Sequence, residues 1–243
     1  SQQYSTNFEM LGSKPFEVEY TLDSDMQAYV RDYFKIYDPD FGALVVMNAE
    51  TGEVLVNYSH QSSKILPVEG VHNLAVEAVV PAASIFKVVT AGASLDLGRI
   101  SAGSLVAVNG SHHTLYRKNV FDNKINRWTQ FVSLKKAFAR SINSAFAKIG
   151  LQTMQPENLI NYAEKFGFNR QIESDVSKLP TLSSVNINSA DPWSIASVSS
   201  GFDHGSRMSA VHGALLASIA INNGIMIKPR FLRSVKDFQG REL

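Results

Sequence analysis

The sequence predicts an α+β domain in which helices pack on an antiparallel sheet. Three observations predict it. Two apolar, strand-like runs flank a glycine-containing turn within residues 42–59. The middle of the chain carries a succession of capped segments of helical period. Extended sequence returns only late, at 225–235.

Taken in order, residues 1–16 are polar and unpatterned and read as a linker or edge segment, with the folded part at 17–243. Phe16–Leu22 alternates as a strand does. Ser24–Tyr37 follows as a helix, with Met26, Tyr29, Val30, Tyr33 and Phe34 at helical spacing and Ser24 as its N-cap. In 42–59, Ala49-Glu50-Thr51-Gly52 joins the two apolar runs, and Gly52 can supply the positive φ that a hairpin needs. Residues 60–80 are loop-like. Ser84–Leu97 reads as a buried helix ended by Gly98. No period emerges from 99–131. Ser133 then caps a short helix, Ser141-Ile142-Asn143 interrupts it, and Ser144–Met154 resumes. Pro156–Phe166 is amphipathic and closed by Gly167. Residues 169–207 are loop-rich, and Ser209 caps an apolar helix running to Ile221. An extended stretch at 225–235 and a turn at Asp237–Gly240 complete the order.

Composition narrows the chemistry. The 243 residues are 44% hydrophobic, enough to bury a core. Lys and Arg number 23 against 22 Asp and Glu, a net charge of +1 that supplies no overall attraction to nucleic acid or an anionic membrane. There is no cysteine, which excludes disulfides, thiolate zinc sites, iron–sulfur clusters and a cysteine nucleophile. The lack of cysteine also leans towards an extracytoplasmic home. No apolar run reaches the ~18 residues of a spanning helix, and no basic-then-apolar signal opens the sequence. It reads as a soluble piece cut from something longer.

Two short motifs carry candidate chemistry. Ser84-Ile85-Phe86-Lys87 stands at the start of an apolar helix, and three residues' spacing puts Lys87 over the same turn as Ser84. An alcohol needs a base to become a nucleophile. A lysine held against apolar surface can lose its proton and serve as that base. Taken alone, S-x-x-K recurs by chance and also fits an N-cap serine followed by a snorkelling lysine. Ser141-Ile142-Asn143 breaks a helix, so its hydroxyl and amide can point into a cleft, where a hydroxyl can pass a proton and an amide can grip a peptide bond. Alone it fits an interhelical turn better. The histidines show no metal-ligand spacing, His112-His113 included, so no metal is expected. His204 has no G-x-S-x-G elbow to join in a triad, and no glycine-rich phosphate loop suggests a nucleotide or other cofactor.

Together these pieces resemble the transpeptidase domain of penicillin-binding proteins. PAASIFKVVTAGASLDLGRI at 81–100 resembles the family's active-site helix, and ARSINSAFAKIG at 139–150 its Ser-x-Asn segment. GALVVMNAETGEVLVNYS resembles its first hairpin, while EKFGFN and MSAVHGALLASIAINNGIMIKPRFL resemble later helices and a strand. The resemblance spans about 17–240, so that 17–243 would form the N-terminal and central part of such a domain. It implies a penicillin-binding-protein/β-lactamase-like fold. It implies that Ser84 is acylated, Lys87 is its base, Ser141 relays a proton to the leaving D-alanine, and Asn143 holds the substrate's peptide amide. The implied partners are peptidoglycan stem peptides and β-lactams, with an extracytoplasmic location and a membrane anchor outside this chain.

One departure stands out: no Lys-Ser/Thr-Gly triplet occurs. In the family it lies on a strand beyond the region resembling 208–232. The expectation is that the remainder of the same protein, or a second chain, completes the sheet, and that Leu44, Val46, Val54 and Val56 face water without it. Alternatives are a D,D-carboxypeptidase or β-lactamase of the same fold, or a non-catalytic wall-binding scaffold. The intact Ser84, Lys87, Ser141 and Asn143 argue against the last.

Overall fold

The computed structural model describes residues 3–11, 14–66, 69–176 and 179–243. Of the segment read as a linker, residues 1, 2, 12 and 13 lie outside these. Its first elements are β1 (Gln3–Leu11), β2 (Lys14–Asp23), α1 (Ser24–Tyr37), β3 (Phe41–Met47), β4 (Val54–Gln61) and β5 (Val80–Pro81). A 3₁₀ turn (Ala83–Phe86) leads directly into α2 (Lys87–Asp96). Then come β6 (Leu105–Val108), α3 (Arg117–Phe121), β7 (Gln130–Ser133), α4 (Leu134–Ala139), α5 (Asn143–Thr153) and α6 (Pro156–Lys165). The last are β8 (Ser183–Ser184), α7 (Pro192–Ser200), β9 (Arg207–Met208), α8 (Ala210–Ile221) and β10 (Leu232–Asp237). The elements group into two compact units. One holds the described residues up to Val79 with Gln171–Leu182 and Ser209–Leu243; the other holds Val80–Arg170 and Ser183–Met208.

In the first unit β1, β2 and β10 form an antiparallel sheet with β2 central. The predicted hairpin is β3–β4, with Val46 opposite Val56. Its turn depends on Gly52, whose φ is +79° and where a Cβ would collide with the Lys228 carbonyl. Thr21 ties the sheets together, because its hydroxyl donates to the carbonyls of Val54 and Arg230. Val54 joins Leu182, Val211, Leu215 and Phe231 in one buried cluster. The expectation that Val54 and Val56 face water is therefore wrong: both are fully buried, because α1 and β2 pack on β4 and the α8 and 179–182 segments supply the rest of that core. Leu44 and Val46 are half-buried. The cap of α1 is Asp23 and not Ser24; the Asp23 carboxylate accepts from the N–H groups of Asp25 and Met26, which leaves Ser24 inside the first turn. Of the extended stretch at 225–235, only the end is strand, while the Asp237–Gly240 turn closes with a 2.9 Å backbone bond.

The second unit is mostly helical. Val106, Val108, Val132, Leu134, Ile142, Phe146 and Ile149 belong to one buried cluster, between the β6–β7 ribbon and α5. The predicted Ser133 cap is present, accepting from Lys136 N. Two regions expected to be irregular hold structure. Residues 99–131 contain β6, α3 and the start of β7, strands and a helix too short to show a period. Residues 169–207 contain α7, whose Ile195–Ser200 run is buried on every side and so presents no apolar stripe.

Candidate active site

The second unit places the S-x-x-K pair where its chemistry can operate. Ala82 is pinned by its N–H donating to Ser206 O, and the chain then turns sharply: Ala83 has φ +47°, the left-handed region that costs a non-glycine residue ~1–2 kcal/mol. The turn leaves Ser84 exposed and swings Phe86 inward, where it meets Phe168 edge-on with 5.1 Å between ring centroids. One turn on, Lys87 is 2% exposed.

Lys87 Nζ lies 2.7 Å from Ser84 Oγ, 2.8 Å from Asn143 Oδ1 and 2.6 Å from Ser200 O. Two of these neighbours can only accept. A neutral amine would give its two hydrogens to them and turn its lone pair to the Ser84 hydroxyl, the arrangement of a base facing its proton. Burial favours that neutral form and lowers the lysine from its usual 10.5 to about 8. Among the described residues no carboxylate stands beside it to oppose the shift.

Asn143 is held as firmly as the lysine. Its backbone N–H donates to His112 O (2.8 Å) and its Nδ2 to His113 O (2.9 Å). The second contact fixes which amide atom faces Lys87, since only Oδ1 is left to accept from it. Ser141, two residues earlier, takes φ +50° and is half-buried. Its hydroxyl makes no hydrogen bond among the described residues. The structure thus joins Ser84, Lys87 and Asn143 in one network and leaves Ser141 beside it, uncommitted.

Sequence reasoning missed one participant, the Ser200 carbonyl at the end of α7. Helix ends leave carbonyls without intrahelical partners. Here Ser199 O takes the Thr90 hydroxyl at 2.8 Å and Ser200 O takes Lys87. Gly201 ends the helix at φ +64°, and a Cβ there would lie 1.9 Å from Ala83 O and 3.0 Å from Ser84 N. The absent side chain is what lets α7 abut the turn that carries Ser84. The signal was present in the sequence as Asp191-Pro192, a cap and first-turn pair, followed nine residues later by Gly201. Elsewhere, Asp203 accepts from Gly205 and Ser206 N–H groups within its own loop, and His204 is exposed. Among the described residues no group of three His, Asp or Glu side chains is placed to hold a metal ion.

An exposed serine hydrogen-bonded to a buried lysine at a helix start, on an α+β scaffold, defines the serine–lysine class of site. The model of the penicillin binding protein transpeptidase domain matches residues 42–242, and the chain belongs to that family. It is 25% identical over 230 residues to penicillin-binding protein PbpB of Mycolicibacterium smegmatis, covering 89% of this chain and 34% of that protein. It is 24% identical over 233 residues to peptidoglycan D,D-transpeptidase PbpA of Mycobacterium tuberculosis, covering 82% and 44%. The chain thus spans less than half the length of these relatives. Among solved structures, the D,D-transpeptidase domain of a peptidoglycan glycosyltransferase from Eggerthella lenta aligns with TM-score 0.75 at 22% identity, over 96% of this chain and 61% of that one. Penicillin-binding protein A from M. tuberculosis aligns with TM-score 0.73 at 23% identity, over 94% and 57%. These likenesses show a penicillin-binding-protein transpeptidase fold, mixed helix and antiparallel sheet.

Proposed function

We propose that this chain carries the acylation centre of a peptidoglycan D,D-transpeptidase. The observation that carries the reading is the Lys87 ammonium site: buried, shifted towards neutrality, and 2.7 Å from an exposed serine hydroxyl. Ser84 Oγ attacks the carbonyl between the two D-alanines of a stem peptide while Lys87 takes its proton. A backbone N–H of the Ser84 turn steadies the oxyanion. The C–N bond then breaks, and Ser141 passes a proton to the leaving D-alanine amine. Asn143 has a second Nδ2 hydrogen beyond the one given to His113 O, and that hydrogen is assigned to the substrate's peptide carbonyl. The amine of a second stem attacks the acyl-enzyme, restoring Ser84 and forming the cross-link. A β-lactam would acylate the same serine through its ring carbonyl, and the M. tuberculosis homologue has been solved as a penicillin G acyl-enzyme complex.

The same reading makes 17–243 part of a transpeptidase domain on the extracytoplasmic side. No helix among the described residues is long and apolar enough to cross a membrane. The 243 residues contain no Lys-Ser/Thr-Gly triplet, and β3–β4 is a two-stranded ribbon among the described residues. Both support a further segment, from the same protein or a partner chain, that supplies the opposite wall of the cleft.

The test is intact-mass spectrometry after incubation of the full-length protein with penicillin. One penicillin should add to the wild type and none to Ser84→Ala. Equal addition to both would refute the assignment.

A further inference from the structure

The near-zero net charge of the chain hides a local segregation. The 21-residue connection between β6 and β7 ends in a tip, Lys124-Ile125-Asn126-Arg127-Trp128, in which every residue is exposed. Ile125 is 68% and Trp128 71% exposed. The tip sits at the end of the β6–β7 ribbon, because Asn109 follows β6 and binds it from both sides: Asn109 Nδ2 donates to Lys124 O and Asn109 Oδ1 accepts from the Thr129 hydroxyl. In the ribbon Ala107 pairs with Phe131 and Leu105 with Ser133, so Leu105 and Phe131 share one face. That is the face opposite buried Val106 and Val132, and it exposes Leu105 by 66% and Phe131 by 53%. The ribbon and tip therefore carry four large exposed apolar side chains and two cations. Among the described residues neither cation has a carboxylate within salt-bridge distance; the nearby Asp122 carboxylate is turned to the Lys124 N–H. Arg127 lies over the Trp128 ring, 4.8 Å from its centroid.

We propose that this tip and ribbon face dock on an anionic lipid bilayer surface. Indole and aliphatic groups flanked by Lys and Arg are the composition that partitions into a headgroup layer. Each cation near an anionic leaflet strengthens binding about fivefold. Several of the tip's polar groups are paired within it, which lowers the cost of entering a headgroup layer: Asn126 Oδ1 accepts from Trp128 N–H, Thr129 Oγ1 accepts from Asn126 N–H, and both amide ends of Asn109 are used. The proposal is independent of the acylation chemistry, since none of these side chains touches Ser84, Lys87 or Asn143.

The experiment floats the full-length protein, cleared of any membrane-spanning anchor, with vesicles of phosphatidylcholine alone or with one-third phosphatidylglycerol. Association with the anionic vesicles only, weakening with salt, is expected. Lys124→Gln combined with Arg127→Gln should lower the partition about 25-fold, and Ile125→Ser with Trp128→Ser should abolish it. Quenching of tryptophan emission by brominated acyl chains should disappear in Trp128→Phe. Melting temperature and penicillin labelling serve as checks that each variant is folded. Absence of vesicle binding, equal binding by the glutamine pair, or quenching that persists without Trp128 overturns the proposal. Capture by isolated peptidoglycan or by a protein partner, without vesicle binding, overturns it too and reassigns the surface.

Discussion

The turn that presents Ser84 and the turn that presents Ser141 use the same device differently. Each places a non-glycine residue at positive φ, Ala83 at +47° and Ser141 at +50°. In the first turn the strained residue precedes Ser84, the proposed nucleophile, whose hydroxyl is already bonded to Lys87. In the second the strain falls on the hydroxyl-bearing residue itself, and that hydroxyl has no partner among the described residues. The clamps differ as well. Gly201 and the end of α7 press on Ala83, whereas the second turn is held two residues past Ser141, through Asn143 and the carbonyls of His112 and His113. Under the proposed mechanism, the contrast separates a preorganised attacking group from a relay that engages only when a substrate arrives. Strain of this kind persists only where the surroundings fix it.

The largest test of the first turn is Lys87→Arg. Arginine keeps the charge but cannot release a proton in this range, so acylation by a fluorescent penicillin should fall by ~10²–10⁴. The wild-type rate should carry the lysine's signature. Burial lowers its pKa to about 8, so the neutral base forms as pH rises. Acylation should climb about tenfold per unit below that value and level off above it. A flat profile from pH 6 to 9, or near-normal labelling of the arginine variant, would sink the neutral-lysine base.

Gly201→Ala attacks the clamp instead of the base. Its methyl group would enter the Ala83 carbonyl, and either α7 or the nucleophile turn must move. Misplacement by about 1 Å can cost ~10²-fold in rate. Labelling should drop by about that factor, with the pH midpoint still near 8. A drop accompanied by a shifted midpoint would mean that Lys87, and not the serine turn, had moved.

The second turn is tested by a pair of variants. Ser141→Ala and Ser141→Gly both remove the hydroxyl and should slow acylation by ~10²-fold or more, the lower end for a proton-transfer group. They should differ in stability. Glycine relieves the left-handed strain that alanine retains, at some cost in unfolded-chain entropy, so Ser141→Gly should be the more stable by about 0.5–1 kcal/mol. A Ser141→Gly variant that unfolds at lower urea than Ser141→Ala, by that entropy cost, would show that the +50° conformation stores no strain.

Much of this site was legible in the sequence, and the illegible part has a physical cause. S-x-x-K and Ser-Ile-Asn are local patterns, and helical period or capping located their helices: Ser133 and Ser209 both cap as expected. What joins the two motifs is not local. Lys87 reaches Asn143 across 56 residues and Ser200 across 113, and no short-range pattern encodes either contact. The helix that supplies Ser200 was hidden because Ile195, Ala196, Ser197, Val198, Ser199 and Ser200 are all buried. A helix buried all round has no polar face to set a period against. The burial of Val54 was illegible for a related reason, since its cover comes from Leu182, Val211 and Phe231, far along the chain.

The smallest effect probes whether α7 acts as one rigid lever or is held only at its far end. Asp191 caps its start, accepting from Trp193 N–H at 3.0 Å. Its other carboxylate oxygen lies 3.7 Å from an exposed Arg117 nitrogen, a pair worth little in water. Asp191→Ala should therefore cost ~1 kcal/mol through the lost cap, lowering the melting temperature by about 2–4 °C for a chain of this size. Asp191→Asn keeps the capping oxygen and should recover most of that loss. Penicillin labelling should change less than about threefold in either variant, because the catalytic end of α7 has its own fastenings: Thr90 on Ser199 O, Lys87 on Ser200 O, and the close seat of Gly201. A tenfold or larger loss of labelling in Asp191→Ala, restored by Asp191→Asn, would show that the cap governs the position of Ser200. The nucleophile turn would then be preorganised from the far end of a nine-residue helix, and the local clamp would be the wrong account of how it differs from the turn at Ser141.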